Sequence, residues 1–155
     1  MNTTLKKANI TDAELLHKMQ IEAFMPLLQK YQDFDTSPGN ESVESTLQRL
    51  EDPLTDYYFI MLDNDKVGGI RIKKLDVGMR YKISPLFILP KYQGLGIAQK
   101  TIRLVEEIYS PSKGWELCTI LQEQGNCHLY EKMGYRQTGE TKVINDKMTI
   151  VFYEK

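Results

Sequence analysis

The apolar run Leu86-Phe87-Ile88-Leu89 passes through Pro90-Lys91-Tyr92 into Gln93-Gly94-Leu95-Gly96-Ile97-Ala98, after which Ile102, Val105 and Ile108 recur at helical spacing. A strand, a glycine turn and a helix N-terminus in direct succession make an anion site. The first helical N–H groups have no partner within the helix, the dipole favours negative charge, and glycine lets the backbone approach a phosphate closely. Three ligands suit this arrangement: a dinucleotide, a nucleoside triphosphate and the pyrophosphate of coenzyme A. The dinucleotide fingerprint needs a third glycine where the chain has Gln99. The triphosphate loop comes nearer, with Gly94, four residues and then Gln99-Lys100-Thr101, but Gln99 replaces its second glycine. No later apolar strand ends in an aspartate to hold magnesium. A glycine turn ahead of a surface helix, with no ligand, is the plain structural alternative.

The rest of the chain alternates helical and strand patterns. Leu5 to Asn9 reads as a short strand, and Thr11-Asp12-Ala13-Glu14 reads as a capping box with Thr11 as N-cap. Leu15, Leu16, Met19, Ala23 and Phe24 follow at helical spacing, and Pro26 is expected to interrupt that helix or begin a new turn. Val43, Leu47 and Leu50 mark a second helix ending before Pro53. Residues 57–62 and 67–72 are strands around the turn 63–66. Residues 80–89 form another strand, in which Pro85 implies a bulge or a break in pairing. Residues 98–109 are a helix, 115–120 a strand, and 126–133 a short helix closed by Gly134. Residues 135–141 and 148–153 form a final hairpin around Asn145-Asp146. This order predicts an α+β sandwich with a twisted, largely antiparallel sheet.

Composition narrows the function. With 155 residues and no repeat, low-complexity stretch or long linker, a single domain over 1–155 is expected. The 20 basic and 21 acidic residues leave a net charge of −1, which argues against a nucleic-acid binder and against a polybasic membrane anchor. No apolar run is long enough to cross a bilayer, and the two lysines near the N-terminus precede no apolar stretch, so no signal peptide is read and the cytoplasm is the expected compartment. Cys118 and Cys127 are expected to be buried free thiols. With His17 and His128 they give no metal-ligand spacing, so no metal is expected.

The loop Gln93-Gly94-Leu95-Gly96-Ile97-Ala98 resembles the Gln/Arg-x-x-Gly-x-Gly/Ala signature of the GNAT (GCN5-related) N-acetyltransferases, and Phe87 to Tyr92 resembles its usual lead-in. Downstream, Leu129-Tyr130-Glu131-Lys132-Met133-Gly134-Tyr135 is similar to that family's Leu-Tyr-Glu-Lys-x-Gly-Phe/Tyr segment. The two motifs come in family order at a family-like separation, and the resemblance covers essentially the whole chain. It implies a three-layer α/β/α sandwich whose mixed, mostly antiparallel twisted sheet is splayed at the central strands. It also implies acetyl-CoA as cosubstrate. The backbone of Phe87, Ile88 and Leu89 would pair with pantetheine. The N–H groups from Gly94 through Leu95, Gly96, Ile97 and Ala98 to Gln99 would hold the pyrophosphate. Gln93, Asn126 and Tyr130 complete the expected cofactor contacts.

The implied reaction is direct attack of a primary amine on the thioester through a tetrahedral intermediate. The Ile88 N–H is the expected oxyanion donor. Tyr130 matches the family tyrosine that protonates the leaving thiolate, with a core or cofactor-packing tyrosine as the alternative. Two departures stand out. Many members carry a glutamate on the central strand as base, whereas simple alternation puts Leu86, Ser84 and Lys82 on the pleat side of Ile88. The family also often has Asn seven residues before the tyrosine; here that residue is Glu123, and Asn126 is expected to cap the short helix, contact the cofactor, or both. Glu22, Asp33 and Asp35 are the acids of the N-terminal region that usually lines the acceptor pocket, though each has the character of a solvated charge. Phe24, Met25, Leu27, Tyr31 and Phe34 are the corresponding apolar candidates, with core packing as their default. Glu22, Phe24 and Tyr31 are the residues assigned to the acceptor. A non-catalytic acyl-CoA-binding or regulatory module on the same fold is the alternative function. The acceptor could be a peptide N-terminus, a lysine, a polyamine, an amino sugar or a small amine. A homodimer is the commonest closed assembly for such a chain.

Overall fold

The computed structural model describes all 155 residues. Seven strands make one sheet: β1 (Thr3–Lys7), β2 (Thr55–Leu62), β3 (Asp65–Asp76), β4 (Arg80–Ile88), β5 (Trp115–Ile120), β6 (Arg136–Asn145) and β7 (Met148–Glu154). Their spatial order is β1-β2-β3-β4-β5-β7-β6. Every neighbouring pair is antiparallel except β4 with β5, which run parallel on either side of a helical crossover. The four helices are α1 (Ala13–Tyr31), α2 (Val43–Glu51), α3 (Ile97–Ile108) and α4 (Gln124–Lys132).

The two faces of the sheet carry separate cores. Leu16, Met19 and Ala23 of α1 pack on Tyr57, Phe59 and Phe87 on one face. On the other, Ile97, Ile102 and Val105 of α3 and Cys127 and Tyr130 of α4 pack on Ile60, Ile70, Ile72 and Ile83. The result is the three-layer α/β/α sandwich expected. Ile70, Ile72, Ile102 and Val105 are wholly buried; each such side chain stabilises the fold by about 2 kcal/mol relative to exposure.

Strand β4 decides where the sheet opens. It pairs with β5 only at Tyr81–Trp115 and Lys82–Glu116, after which the two strands part. Just beyond lies a bulge. Ile70 is opposite Leu86 and Ile72 is opposite Ile83, so two residues of β3 span three of β4, and Ser84-Pro85 supply the extra one. The guanidinium of Arg71, on the facing strand, donates to the Ser84 carbonyl. Toward the end of β4 the backbones approach closely: a Cβ at Gly68 would fall 2.2 Å from the Phe87 carbonyl oxygen.

The bulge corrects one expectation. Cross-strand partners share a face, and Ile70 and Ile72 are two apart, so Leu86 and Ile83 share a face although they are three apart. Tyr81 and Ile83, rather than Lys82 and Ser84, therefore share the side of Ile88. Neither is a carboxylate. The helix ends also differ from expectation. Asn9, not Thr11, caps the N-terminus: its side chain accepts from the Thr11 N–H at 3.0 Å and its own N–H donates to Asp12 at 2.9 Å, ahead of a 3₁₀ turn that leads into α1. Pro26 does not end α1, which continues to Tyr31. Its missing N–H would have served the carbonyl of Glu22, an exposed residue. Glu123 precedes α4, so Asn126 lies inside the helix and does not cap it. Cys127 is buried as expected, and Cys118 is only partly so. Trp115 is in the core and His128 is exposed. The last hairpin is longer than expected, with β6 running to Asn145. No helix is long and apolar enough to cross a membrane.

Candidate active site

Where β4 and β5 part, a cleft of about 660 Å³ opens. Leu86, Phe87 and Ile88 of β4 form its floor. Ala23, Phe24, Pro26, Leu27 and Lys30 of α1 form one wall. The glycine loop and the first turn of α3 form the second. Glu123 and Gly125, Asn126, Leu129 and Tyr130 of α4 close the third.

Hydrogen-bond phase along β4 fixes which peptide groups face the cleft. The Leu89 N–H donates to the Val67 carbonyl at 2.8 Å. In an antiparallel ladder such bonded pairs recur every second residue, so Phe87 is likewise bonded to Gly69, and Ile88 turns its N–H and C=O away from β3. That side belongs to β5, which has already departed. The Ile88 carbonyl is taken by the Gln93 side-chain amide at 3.0 Å, which leaves the Ile88 N–H directed into the gap. Of the three residues expected to offer backbone to a ligand, Ile88 has an N–H turned toward the gap, with Leu86 beside it in the same phase, while Phe87 and the Leu89 N–H are bonded to β3 and the Leu89 carbonyl accepts from Tyr92 at 2.9 Å.

The loop that follows is shaped by two glycines. Gly94 and Gly96 have φ of +78° and +77°, a left-handed backbone that other residues adopt at a cost, and a Cβ at either would meet nothing within 4 Å. The space above the loop is therefore open. Gly96 caps α3, so the N–H groups of Ile97, Ala98 and Gln99 lack helical partners and no acidic side chain stands in the first turn to compete for them. These features fit a bound pyrophosphate. Leu95 points out to solvent and, like Leu89, does not line the cleft.

Tyr130 lines the same cleft as Ile88 and is 9% exposed, with the rings of Tyr135 and Tyr153 at 6.2 and 6.1 Å from its own. Burial pushes its phenol well above the ordinary tyrosine value, so it keeps its proton.

The acceptor assignments separate. Phe24 lines the cleft, its ring edge-on to Phe87 at 6.0 Å. Glu22 does not; it is exposed on α1 beside shallower depressions. Tyr31 is buried behind the wall and reaches the cleft only through Glu123, to which its hydroxyl donates. Leu27 lines the cleft, but Met25 does not and Phe34 is exposed. Asp33 is buried in its own turn, its main-chain carbonyl accepting from Thr36 and Ser37, and Asp35 is on the surface.

Sequence reasoning noticed Glu123 only as a substitution and passed over Lys30. The structure brings the two together at 2.8 Å, from positions 93 apart. Burial alone would raise the Glu123 carboxyl, but hydrogen bonds from Lys30 and Tyr31 outweigh it and bring it below the usual carboxylate value. The same contact with Glu123 raises Lys30. Burial, and then Glu123, raise Tyr31. An acid directly ahead of a helix that presents an inward tyrosine was the available signal. Its partner on α1 left none. No group of three or more His, Cys, Asp or Glu side chains comes together to hold a metal ion.

Comparison with known proteins identifies the family and the fold. A family model described as "Acetyltransferase (GNAT) family" matches residues 21–135. Solved structures share the fold at low identity. An acetyltransferase of Salmonella typhimurium that modifies the N-terminal serine of a 50S ribosomal subunit protein superposes with TM-score 0.76 at 15% identity, covering 100% of this chain and 95% of its own. PaiA N-acetyltransferase of Thermoplasma acidophilum, in complex with coenzyme A, gives 0.72 at 17%, with 100% of both chains covered. Spermidine N-acetyltransferase of Vibrio cholerae, in complex with CoA and spermine, gives 0.74 at 15%, covering 99% of this chain and 94% of its own. A search of curated protein sequences finds no match.

Proposed function

The chain belongs to the GNAT family of acetyltransferases, and from that premise we propose that it is a single domain that moves the acetyl group of acetyl-CoA to a primary amine in the cleft between β4 and β5. The observation that carries this reading is the Ile88 N–H, turned into the gap by the phase of β4, in a cleft that the buried, protonated Tyr130 also lines.

When bound, acetyl-CoA supplies an activated acyl thioester. The loop and first turn of α3 offer the N–H groups from Gly94 to Gln99 to its pyrophosphate, and Asn126 lies on the opposite wall. Leu86 and Ile88 offer a strand edge to an extended chain. The Ile88 N–H donates to an acyl oxygen placed in the gap, an interaction that strengthens as that oxygen gains charge. Tyr130 gives its proton to the departing sulfur and is reprotonated, through water, by the proton that the attacking nitrogen sheds after it adds. The acceptor amine attacks neutral, and a lysine-like amine with a pKa of about 10.4 must first lose a proton. The Glu123 carboxylate is engaged by Lys30 and Tyr31, so the amine loses this proton to bulk solvent before it attacks.

The test is thiol release from acetyl-CoA with a panel of amines. Turnover on at least one amine, with acetylated product identified by mass, is the expected result. Tight acetyl-CoA binding without turnover on any amine would replace this reading with that of a non-catalytic acyl-CoA module.

A further inference from the structure

The cleft is lined by one acidic side chain, Glu123, and one ammonium, Lys30, and these are bonded to each other. Their surroundings are unequal. The Lys30 side chain is 59% exposed on a flexible stem from the last turn of α1, whereas that of Glu123 is 23% exposed. Glu123 is also fixed without Lys30. Tyr31 donates to the same carboxylate oxygen, and the Glu123 carbonyl accepts from Asn126 and Cys127 at 3.1 and 3.2 Å at the start of α4. Lys30 can therefore swing into solvent at little cost, as expected of an exposed ion pair, and leave an oriented carboxylate behind. What it leaves is a site whose resident ligand is a primary alkylammonium.

We propose that Glu123 recognises a cationic group of the acceptor, that the Lys30 ammonium occupies its place in the free protein, and that the acceptor is a diamine or another amine carrying a second cation. This rests on the acetyl-transfer reading for the reaction, though not for the binding. The requirement for a second cation follows from the chemistry. The contact with Glu123 raises the Lys30 ammonium, and an ammonium that takes its place is held charged in the same way, whereas the attacking nitrogen must be neutral. The nitrogen at Glu123 is therefore not the one acetylated.

The experiment compares 1,4-diaminobutane with n-butylamine, in turnover and in calorimetric binding, for the wild type, Glu123→Gln and Lys30→Met. The wild type should favour the diamine in kcat/KM by about tenfold or more, the scale of one charge-assisted hydrogen bond. Glu123→Gln should erase that preference, chiefly through KM, with acetyl-CoA binding serving as the check on folding. Lys30→Met should lower the diamine KM several-fold, because the internal competitor is gone. Equal losses on both amines in Glu123→Gln, or a raised diamine KM in Lys30→Met, would overturn the proposal and leave the pair only its structural role between α1 and α4. Calorimetry needs no turnover. Diamine binding that is lost in Glu123→Gln from a protein that acetylates nothing would sustain this site while removing the transfer reading.

Discussion

The side-chain amide of Gln93 donates to the main-chain carbonyl of Ile88 at 3.0 Å, so the first residue of the glycine loop is tied to the last residue of β4. One bond thus fixes the phosphate loop relative to the strand end that offers its N–H to the acyl group. Gln93→Ala removes a net contribution of about 1 kcal/mol, which corresponds to roughly fivefold weaker acetyl-CoA binding by calorimetry. Gln93→Glu should do no better, because a carboxylate cannot donate. Unchanged affinity in both would mean that the loop is positioned by Tyr92 and the α3 helix alone.

Gly96 caps α3 with φ of +77° and open space where a Cβ would point. Substitution therefore meets no clash, only the left-handed backbone cost. Gly96→Ala should cost about 1 kcal/mol, lowering the melting temperature by roughly 2–4 °C. Gly96→Asn should cost less, since asparagine tolerates this conformation better. Thermal melting of the two variants side by side checks the order; an alanine variant as stable as wild type would mean that the loop relaxes to another conformation.

Tyr130→Phe keeps the ring packing against Tyr135 and Tyr153 and removes only the hydroxyl. As general acid, that hydroxyl should be worth about a hundredfold in kcat, with the acetyl-CoA KM within about twofold. The sign of the pH dependence follows. Burial raises the phenol, so its proton remains in place beyond the ordinary tyrosine value of about 10. The wild-type rate should therefore climb with pH as the amine deprotonates, without a falling limb below about pH 10. A fall below that pH, absent in the phenylalanine variant, would show Tyr130 titrating too early for this account.

Periodicity and glycine punctuation made the seven strands, the four helices and the loop legible, because those signals are local. Pro85 announced a bulge, but its consequence was not local. One extra residue moved Ile83 onto the face where alternation had put Ser84, and only the β3 register shows this. Pro26 misled for the opposite reason: its cost to α1 is offset by the packing of Ala23 and Leu28 on either side of it, which a propensity reading does not see. Glu123 and Lys30 meet across 93 residues, and no spacing rule reaches that far.

The Glu123–Lys30–Tyr31 group also sets a limit on acid stability. The Glu123 carboxyl lies below its ordinary value in the folded protein. A group depressed on folding contributes stability above its unfolded value, about 4.3 for a glutamate, and loses it as pH falls through the folded value. Lys30 and Tyr31 are both raised on folding, so their shares are complete below their ordinary values of about 10 and are lost above. The tie between α1 and α4 should thus be constant from about pH 5 to pH 9 and weaken on both sides. Urea midpoints for wild type and Glu123→Gln should differ by a fixed amount across that window and begin to converge as pH falls below about 4, since the wild type then loses its charge-dependent share and the glutamine has no charge to lose. A gap that stays constant down to pH 3 would mean that the glutamine acts through packing, and that the carboxylate's charge does not join α1 to α4.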